Sequence, residues 1–334
     1  MISVIIPTYN NGIYLEEAIN SVASQLYNNY EIIIVDDGSS DGTRDLIDNI
    51  NVEVKYIQQQ HQGVAVARNT GLKNSKGEYC TFLDADDIWF KENLDIKLNI
   101  FNNYPDVDAV FSDFALFDDR GTISERGMRE QYPIFWSQKR EIESIFTEKE
   151  YINYSNKSIP VYRGWLFETL LFGNMINSCS IILTKKSMEE TGYFRSELKS
   201  QEDYDYWLRY SQKYKLAYVD YPLLGYRKHE NQLTNAKNAD EIIMFIKEVL
   251  ETYYRQRNTL MTRSLAMKFK RRYSNIFKIL GLAYIRKGNK VGARNALQNS
   301  WNINKMNIAS IILLAGTYIY TNRVHNVIRN IMNK

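Results

Sequence analysis

Short, nearly continuous apolar runs that stop at clusters of polar residues constrain this chain more than any other feature. Ile2-Ser3-Val4-Ile5-Ile6 ends at Pro7-Thr8-Tyr9-Asn10, and Ile32-Ile33-Ile34-Val35 runs into Asp36-Asp37-Gly38-Ser39-Ser40-Asp41-Gly42. Tyr79-Cys80-Thr81-Phe82-Leu83 ends at Asp84-Ala85-Asp86-Asp87. Such runs read as strands buried on both faces. Further strands are expected at 52–57 and 107–111. Between them lie segments of helical spacing. Residues 13–26 place Leu15, Ala18, Ile19, Val22, Ala23 and Leu26 on one stripe, Gly63 to Leu72 is Ala-rich, and a helix is expected near 91–103. This alternation predicts an α/β fold with a mostly parallel sheet flanked by helices. The polar clusters then share the carboxyl-end rim of the sheet, where open α/β sheets bind ligands.

At 334 residues the chain is long enough for one large domain with an appendage. Charge locates the division. No Asp or Glu follows Glu251, and that tail carries 16 Lys or Arg. Residues 1–251 hold the other 26 basic residues and all 39 acidic ones, a net of −13. Such a shift in charge marks a domain boundary, with a basic helical region after it. Residues 240–254 carry a helical apolar stripe. Residues 268–305 are similar in spacing to one tetratricopeptide helix pair, which needs a neighbour to dock on, either the body or the segment Ile308–Tyr320. Lys268, Lys270, Arg271 and Arg272 cluster at its start and suit an anionic membrane surface. No leader precedes the first strand and no apolar run reaches spanning length, so a cytoplasmic location is expected, peripheral on the inner face of the membrane. Cys80 and Cys179 lack metal-type spacing and read as small buried hydrophobes.

An acidic rim cannot hold a phosphorylated ligand directly, because like charges repel. A hard divalent cation bridges them, taking one or two carboxylates and the ligand's phosphate oxygens, and Asp84-x-Asp86 after a strand supplies that set. A lone D-x-D also occurs in ordinary turns; its position beside two other polar loops marks it as a site.

Eight segments, in order, resemble the family 2 glycosyltransferases. They are Pro7-Thr8-Tyr9-Asn10, Val35-Asp36-Asp37-Gly38 with its Ser39-to-Thr43 extension, Ala67-Arg68-Asn69-x-Gly71, Phe82-Leu83-Asp84-Ala85-Asp86-Asp87, Gly173-Asn174 with Ser178 to Leu183, Gly192-Tyr193-Phe194, Gln201-Glu202-Asp203-Tyr204-x-x-Trp207-Leu208-Arg209, and Tyr226-Arg227-Lys228-His229. The resemblance covers about residues 1–235, which it implies are one domain of two halves divided at about residue 115, with the basic helical region over 236–334. It implies a GT-A fold, a nucleotide-sugar donor, Mn²⁺ or Mg²⁺, and inverting transfer. UDP-sugars head the donors it implies, with dTDP- and GDP-sugars open, and the acceptor is a glycan or a lipid-linked sugar of a bacterial surface polysaccharide.

Residue roles follow from the same resemblance. Thr8 and Tyr9 meet the nucleobase and ribose, and Asp37 hydrogen-bonds the base edge, while Asp36 caps its turn. Arg68 contacts the diphosphate or organises its loop. Asp84 reaches the ribose or the metal, Asp86 is the main metal ligand, and His229 contacts the metal or diphosphate. Asp203 is the base. A single displacement at the anomeric carbon needs one carboxylate to take the acceptor proton, in place of the two that a glycosidase uses. Glu202 and Asp203 also suit the opening of a helix, and Trp207 suits the core. His61 and His325 receive no role. The charged runs in 120–165, Lys139-Arg140-Glu141 and Glu148-Lys149-Glu150, read as solvated helix faces. The processive members' Q-x-x-R-W motif is missing, which implies transfer of single sugars. A sugar nucleotidyltransferase would need a basic Gly-rich first loop, and Pro7 to Gly12 holds no Lys or Arg. A scaffold gripping nucleic acid would need a nucleic-acid motif, and none is recognised; no nucleic-acid partner is expected.

Overall fold

The computed structural model describes residues 1–132, 141–230, 232 and 239–318. By internal contacts the chain divides into two units, Met1–Glu230 and Asn231–Lys334.

In the first unit the apolar runs form the centre of the sheet. Strand β1 (Ile2–Thr8) is buried along its whole length. It pairs in parallel with β2 (Tyr30–Asp36) on one side and β4 (Tyr79–Phe82) on the other. Helix α1 (Gly12–Ala23) buries Leu15, Ala18, Ile19 and Val22, one stripe at helical spacing. Helix α2 (Thr43–Asn49) leads to β3 (Lys55–Gln58), and α3 (Val64–Lys73) leads to β4. Gly71 lets α3 approach β1: a Cβ there would lie 2.3 Å from Ile5 Cγ2.

After β4 come β5 (Ile88–Trp89), α4 (Asn93–Asn103), β6 (Ala109–Asp118), β7 (Gly121–Ser124) and α5 (Gly127–Gln131). Then follow β8 (Glu148–Tyr154), β9 (Lys157–Gly164), α6 (Phe167–Leu170), β10 (Ile181–Thr184), α7 (Lys185–Thr191), α8 (Glu202–Tyr210) and β11 (Leu216–Arg227). The sheet order is β3-β2-β1-β4-β10-β6-β11-β9-β8, with β5 on β11 and β7 on β6.

The half formed by β3, β2, β1 and β4 is parallel, as expected, but the whole sheet is mixed. β10 lies antiparallel between β4 and β6, β11 runs parallel to β6 but antiparallel to β9, and β9 is antiparallel to β8. The Glu148-Lys149-Glu150 run belongs to strand β8 rather than to a helix face: its charges pair with Arg163 on β9 and with Lys215. Residues 139 and 140 of the other charged run lie outside the described residues. The strand expected at 107–111 extends to Asp118, because Asp113, though buried, accepts backbone hydrogen bonds from Phe114 and Met128.

The second unit is helical: α9 (Ala239–Arg255), α10 (Arg257–Leu260), α11 (Arg263–Arg286), α12 (Lys290–Ile303) and α13 (Ile308–Gly316). α11 and α12 form the expected pair around a turn at Gly288, whose φ of 72° is left-handed. Gly281 lets them close, since a Cβ there would lie 2.6 Å from Leu297 Cγ. Leu313 and Leu314 of α13 cover Leu297, so the pair docks on the helix that follows it. Among the described residues no helix is long and apolar enough to cross a membrane.

Candidate functional site

The order β3-β2-β1-β4 reverses direction of progress at β1, and the loops after β1, β2 and β4 meet at that switch point. Hydrogen bonds knit the first two. Asn10, held at φ 51°, accepts from the Ser40 N–H through its side chain at 2.9 Å, and its own N–H donates to Ser39 Oγ at 2.9 Å. Gly12 N–H donates to Asp41 at 2.9 Å. Asp36 accepts from Ser39 N–H and from Tyr56 hydroxyl, a turn role as read from the sequence. The Asp37 carboxylate is buried and accepts from Gln59 Nε2 and from the N–H groups of Gln62 and Gly63. Thr8 Oγ1 is buried with no hydrogen-bond partner among the described residues, and the Tyr9 ring is exposed.

Arg68 connects the β4 loop to the acidic helix start. It is buried, with NH2 2.9 Å from Asp84 Oδ1 and NH1 2.7 Å from Glu202 Oε1. Its guanidinium also lies over the Phe82 and Phe194 rings. Next to it, Asn69 exchanges two hydrogen bonds with the Phe194 backbone, 2.8 and 2.9 Å. The Ala-Arg-Asn-x-Gly motif thus fastens α3 to the β4 loop, to the Gly192-Tyr193-Phe194 loop and to α8.

Asp203 lies at the head of α8, behind Gln201, a non-glycine residue at φ 62°. Tyr204 N–H donates to Asp203 Oδ1 at 2.7 Å and Asn174 Nδ2 to Oδ2 at 3.1 Å. Burial and the adjacent Glu202 charge push its carboxyl up to about 7, against the smaller opposing pull of Arg68 and these donors. A carboxyl with that value can exchange a proton near neutral pH. Trp207 is fully buried, as its core reading requires.

His229 Nε2 stands 2.9 Å from Asp86 Oδ2, with its ring 5.1 Å from Tyr14. Burial and Asp84 raise the Asp86 carboxyl, and His229 opposes this. Asp87 is buried deeper and raised further. One group of possible ligand atoms, from Asp84, Asp87 and Cys179, lies within 4.8 Å of one another. Cys179 is buried as expected, yet its sulfur accepts the Asp84 N–H at 3.2 Å. It therefore shapes the loop instead of merely filling space, and nothing in its spacing announced this, for it arrives from 95 residues away. His61 was also missed: it stacks on Tyr9 and contacts Asp37. His325 lies outside the described residues. Among the described residues the Asp86–His229 pair stands apart from the group of Asp84, Asp87 and Cys179; the carboxylate oxygens are hard donors of the kind that Mg²⁺ or Mn²⁺ takes, and the imidazole nitrogen is a softer one.

An α/β domain of the GT-A kind, with an acidic rim and a carboxylate poised near neutrality, defines the class. Residues 3–166 match the family described as Glycosyl transferase family 2, and that region belongs to it. An uncharacterized glycosyltransferase of Rickettsia felis is 30% identical over 236 residues, 70% of this chain and 35% of its own length. The Rickettsia relatives are longer, and the matched region spans between 30% and 66% of them. The fold resembles S. aureus TarS 1–349, solved with UDP-GlcNAc, at TM-score 0.58 and 20% identity, covering 90% of this chain and 81% of that one. It also resembles the Pyrobaculum calidifontis mannosyltransferase PcManGT, solved with GDP-Man and Mn²⁺, at TM-score 0.53 and 14% identity, covering 98% and 83%.

Proposed function

We propose that this chain transfers a single sugar, with inversion, from a nucleotide-sugar to a hydroxyl of a glycan or lipid-linked acceptor. The observation that carries the reading is the Arg68 bridge, 2.9 Å to Asp84 and 2.7 Å to Glu202, which sets an acidic loop at the sheet's switch point beside Asp203. UDP-sugar is the preferred donor, with its base on Tyr9 and Asp37 and its ribose against Thr8.

Asp203 is the base. One of its oxygens takes the acceptor proton while the acceptor oxygen attacks the anomeric carbon. The bond from that carbon to the phosphate oxygen breaks, and the nucleoside diphosphate leaves with the electron pair. Glu202 serves as no second acid, since Arg68 engages it at 2.7 Å. Asp86, Asp84 and His229 would hold Mn²⁺ or Mg²⁺, which when bound neutralises the diphosphate's charge. Arg68 keeps Asp84 oriented for that purpose. PcManGT, a mannosyltransferase, was solved with GDP-Man and Mn²⁺, which supports the cation.

The test is release of the nucleoside diphosphate from a panel of UDP-, dTDP- and GDP-sugars with and without Mn²⁺. Release that needs Mn²⁺ and is lost in Asp203→Asn supports the reading; release unchanged in Asp203→Asn refutes the base.

The basic helices suit an anionic inner leaflet, which would bring the enzyme to a lipid-linked acceptor. Lys268, Lys270 and Arg271 are exposed on α11 with Met267 beside them. At about 1 kcal/mol per basic residue, reversing those three charges weakens sedimentation with anionic vesicles by about a hundredfold or more. Unchanged sedimentation refutes the surface.

A further inference from the structure

The His61 side chain occupies the place where a nucleobase is expected. Its ring lies 4.0 Å from the Tyr9 ring at 22°, a parallel stack with no room for a third ring between them. Its Nδ1 stands 2.8 Å from Asp37 Oδ2 and 3.2 Å from the Asp37 carbonyl oxygen. With the proton on Nδ1, the imidazole donates to that carboxylate. The other donors to Asp37 come from Gln59, Gln62 and Gly63 of the same loop, so the ring-edge position is the one that His61 fills. The backbone is fixed behind it: Gly38, at φ 87°, would put a Cβ 3.1 Å from the His61 nitrogen. The side chain itself is 55% exposed and has open solvent to move into.

We propose that His61 is an internal stand-in for the nucleobase, an inference that rests on the nucleotide-sugar reading above. A flat ring that stacks on Tyr9 and offers an N–H to Asp37 describes the imidazole here. It describes equally the imide edge of uracil or thymine and the N1–H edge of guanine. Cytosine and adenine present a ring lone pair at the corresponding edge and would meet the carboxylate with like polarity. The base and the imidazole compete for one place. Binding requires His61 to rotate away, and the apparent affinity falls by the fraction of molecules in which it already has. The stand-in also keeps Asp37 hydrogen-bonded and one face of Tyr9 stacked when no donor is present.

The test is titration calorimetry of UDP, CDP and ADP, with Mn²⁺, on the full chain as wild type, His61→Ala and His61→Phe. If the competent fraction is about 10–30%, His61→Ala binds UDP roughly three- to tenfold tighter than wild type. Phenylalanine stacks but cannot donate to Asp37, so His61→Phe gains less. CDP and ADP remain weak in all three proteins. In the proton NMR spectrum of the wild type, UDP shifts the His61 ring resonances as the Tyr9 ring current is lost. UDP binding that is equal or weaker in both variants, or a His61 signal that UDP leaves in place, overturns the stand-in and leaves the donor reading intact. Failure of every nucleotide-sugar and nucleotide to bind wild type and variants alike overturns the donor reading, and the stand-in with it.

Discussion

Replacing Glu202 with glutamine separates two roles that the acidic pair at the head of α8 combines. Glu202 and Arg68 are both buried, and their oxygen and nitrogen lie 2.7 Å apart. Removing one charge leaves Arg68 with Asp84 alone. Full truncation of a buried partner costs about 3–5 kcal/mol. The amide oxygen of glutamine still accepts from Arg68, so a loss of about 2–3 kcal/mol is expected, read as a lower urea midpoint. The second role is electrostatic. The Glu202 charge is the largest influence after burial that raises Asp203 towards 7. Without it Asp203 ionises at lower pH. One unit corresponds to about 1.4 kcal/mol and a tenfold change in the ionised fraction on the acid limb. With Asp203 as the proposed base, which must be ionised to act, kcat/KM is expected to rise with pH through its value and to level off above it. Glu202→Gln therefore moves the acid limb down by about one unit. It also lowers the plateau, since a less basic carboxylate accepts a proton less readily. Arg68→Met removes a cation that opposes the rise, so its limb moves up. The assay is kcat/KM for nucleotide release from pH 5 to 9 on both variants, beside urea unfolding. A limb that stays in place in Glu202→Gln, or moves the same way in both, refutes the electrostatic account even if stability falls as expected.

Asp86→Asn should remove the Mn²⁺ dependence of donor binding while thermal unfolding of the metal-free protein changes little, because His229 can still hydrogen-bond an amide. Calorimetry with and without Mn²⁺ decides it, and retained Mn²⁺ dependence refutes the ligand role. Gly71→Ala puts a methyl 2.3 Å from Ile5 Cγ2 and should cost about 1–3 kcal/mol in the urea midpoint. Combining it with Ile5→Ala, which opens that space, should recover part of the loss introduced by the methyl; strict additivity of the two would show that the contact is not the cause.

How far the fold could be read depended on whether the determining contacts were local. β1 and β2 were legible because burial on both faces demands continuous apolar runs, and Ile2–Thr8 is buried throughout. The direction of β10 was not legible. Ile181–Thr184 is as apolar as a parallel strand, and only its pairing with Thr81 and Val110 makes it antiparallel. β8 and β9 were hidden for another reason. Their turn, Ser155 and Asn156, takes two positive φ values without a glycine, and their charges answer one another across the strands, with Glu148 and Glu150 on Arg163. The site divides in the same way. Asp84, Asp86, Arg68 and Asp203 stood in contiguous motifs and could be named. The bond from Arg68 to Glu202 crosses 134 positions, and the ring of His61 meets Tyr9 from a different loop. Such contacts exist only once the strands are ordered. The chemistry-bearing residues were therefore visible one at a time, whereas their coupling, which sets the ionisation of Asp203 and fills the face of Tyr9, is a property of the fold.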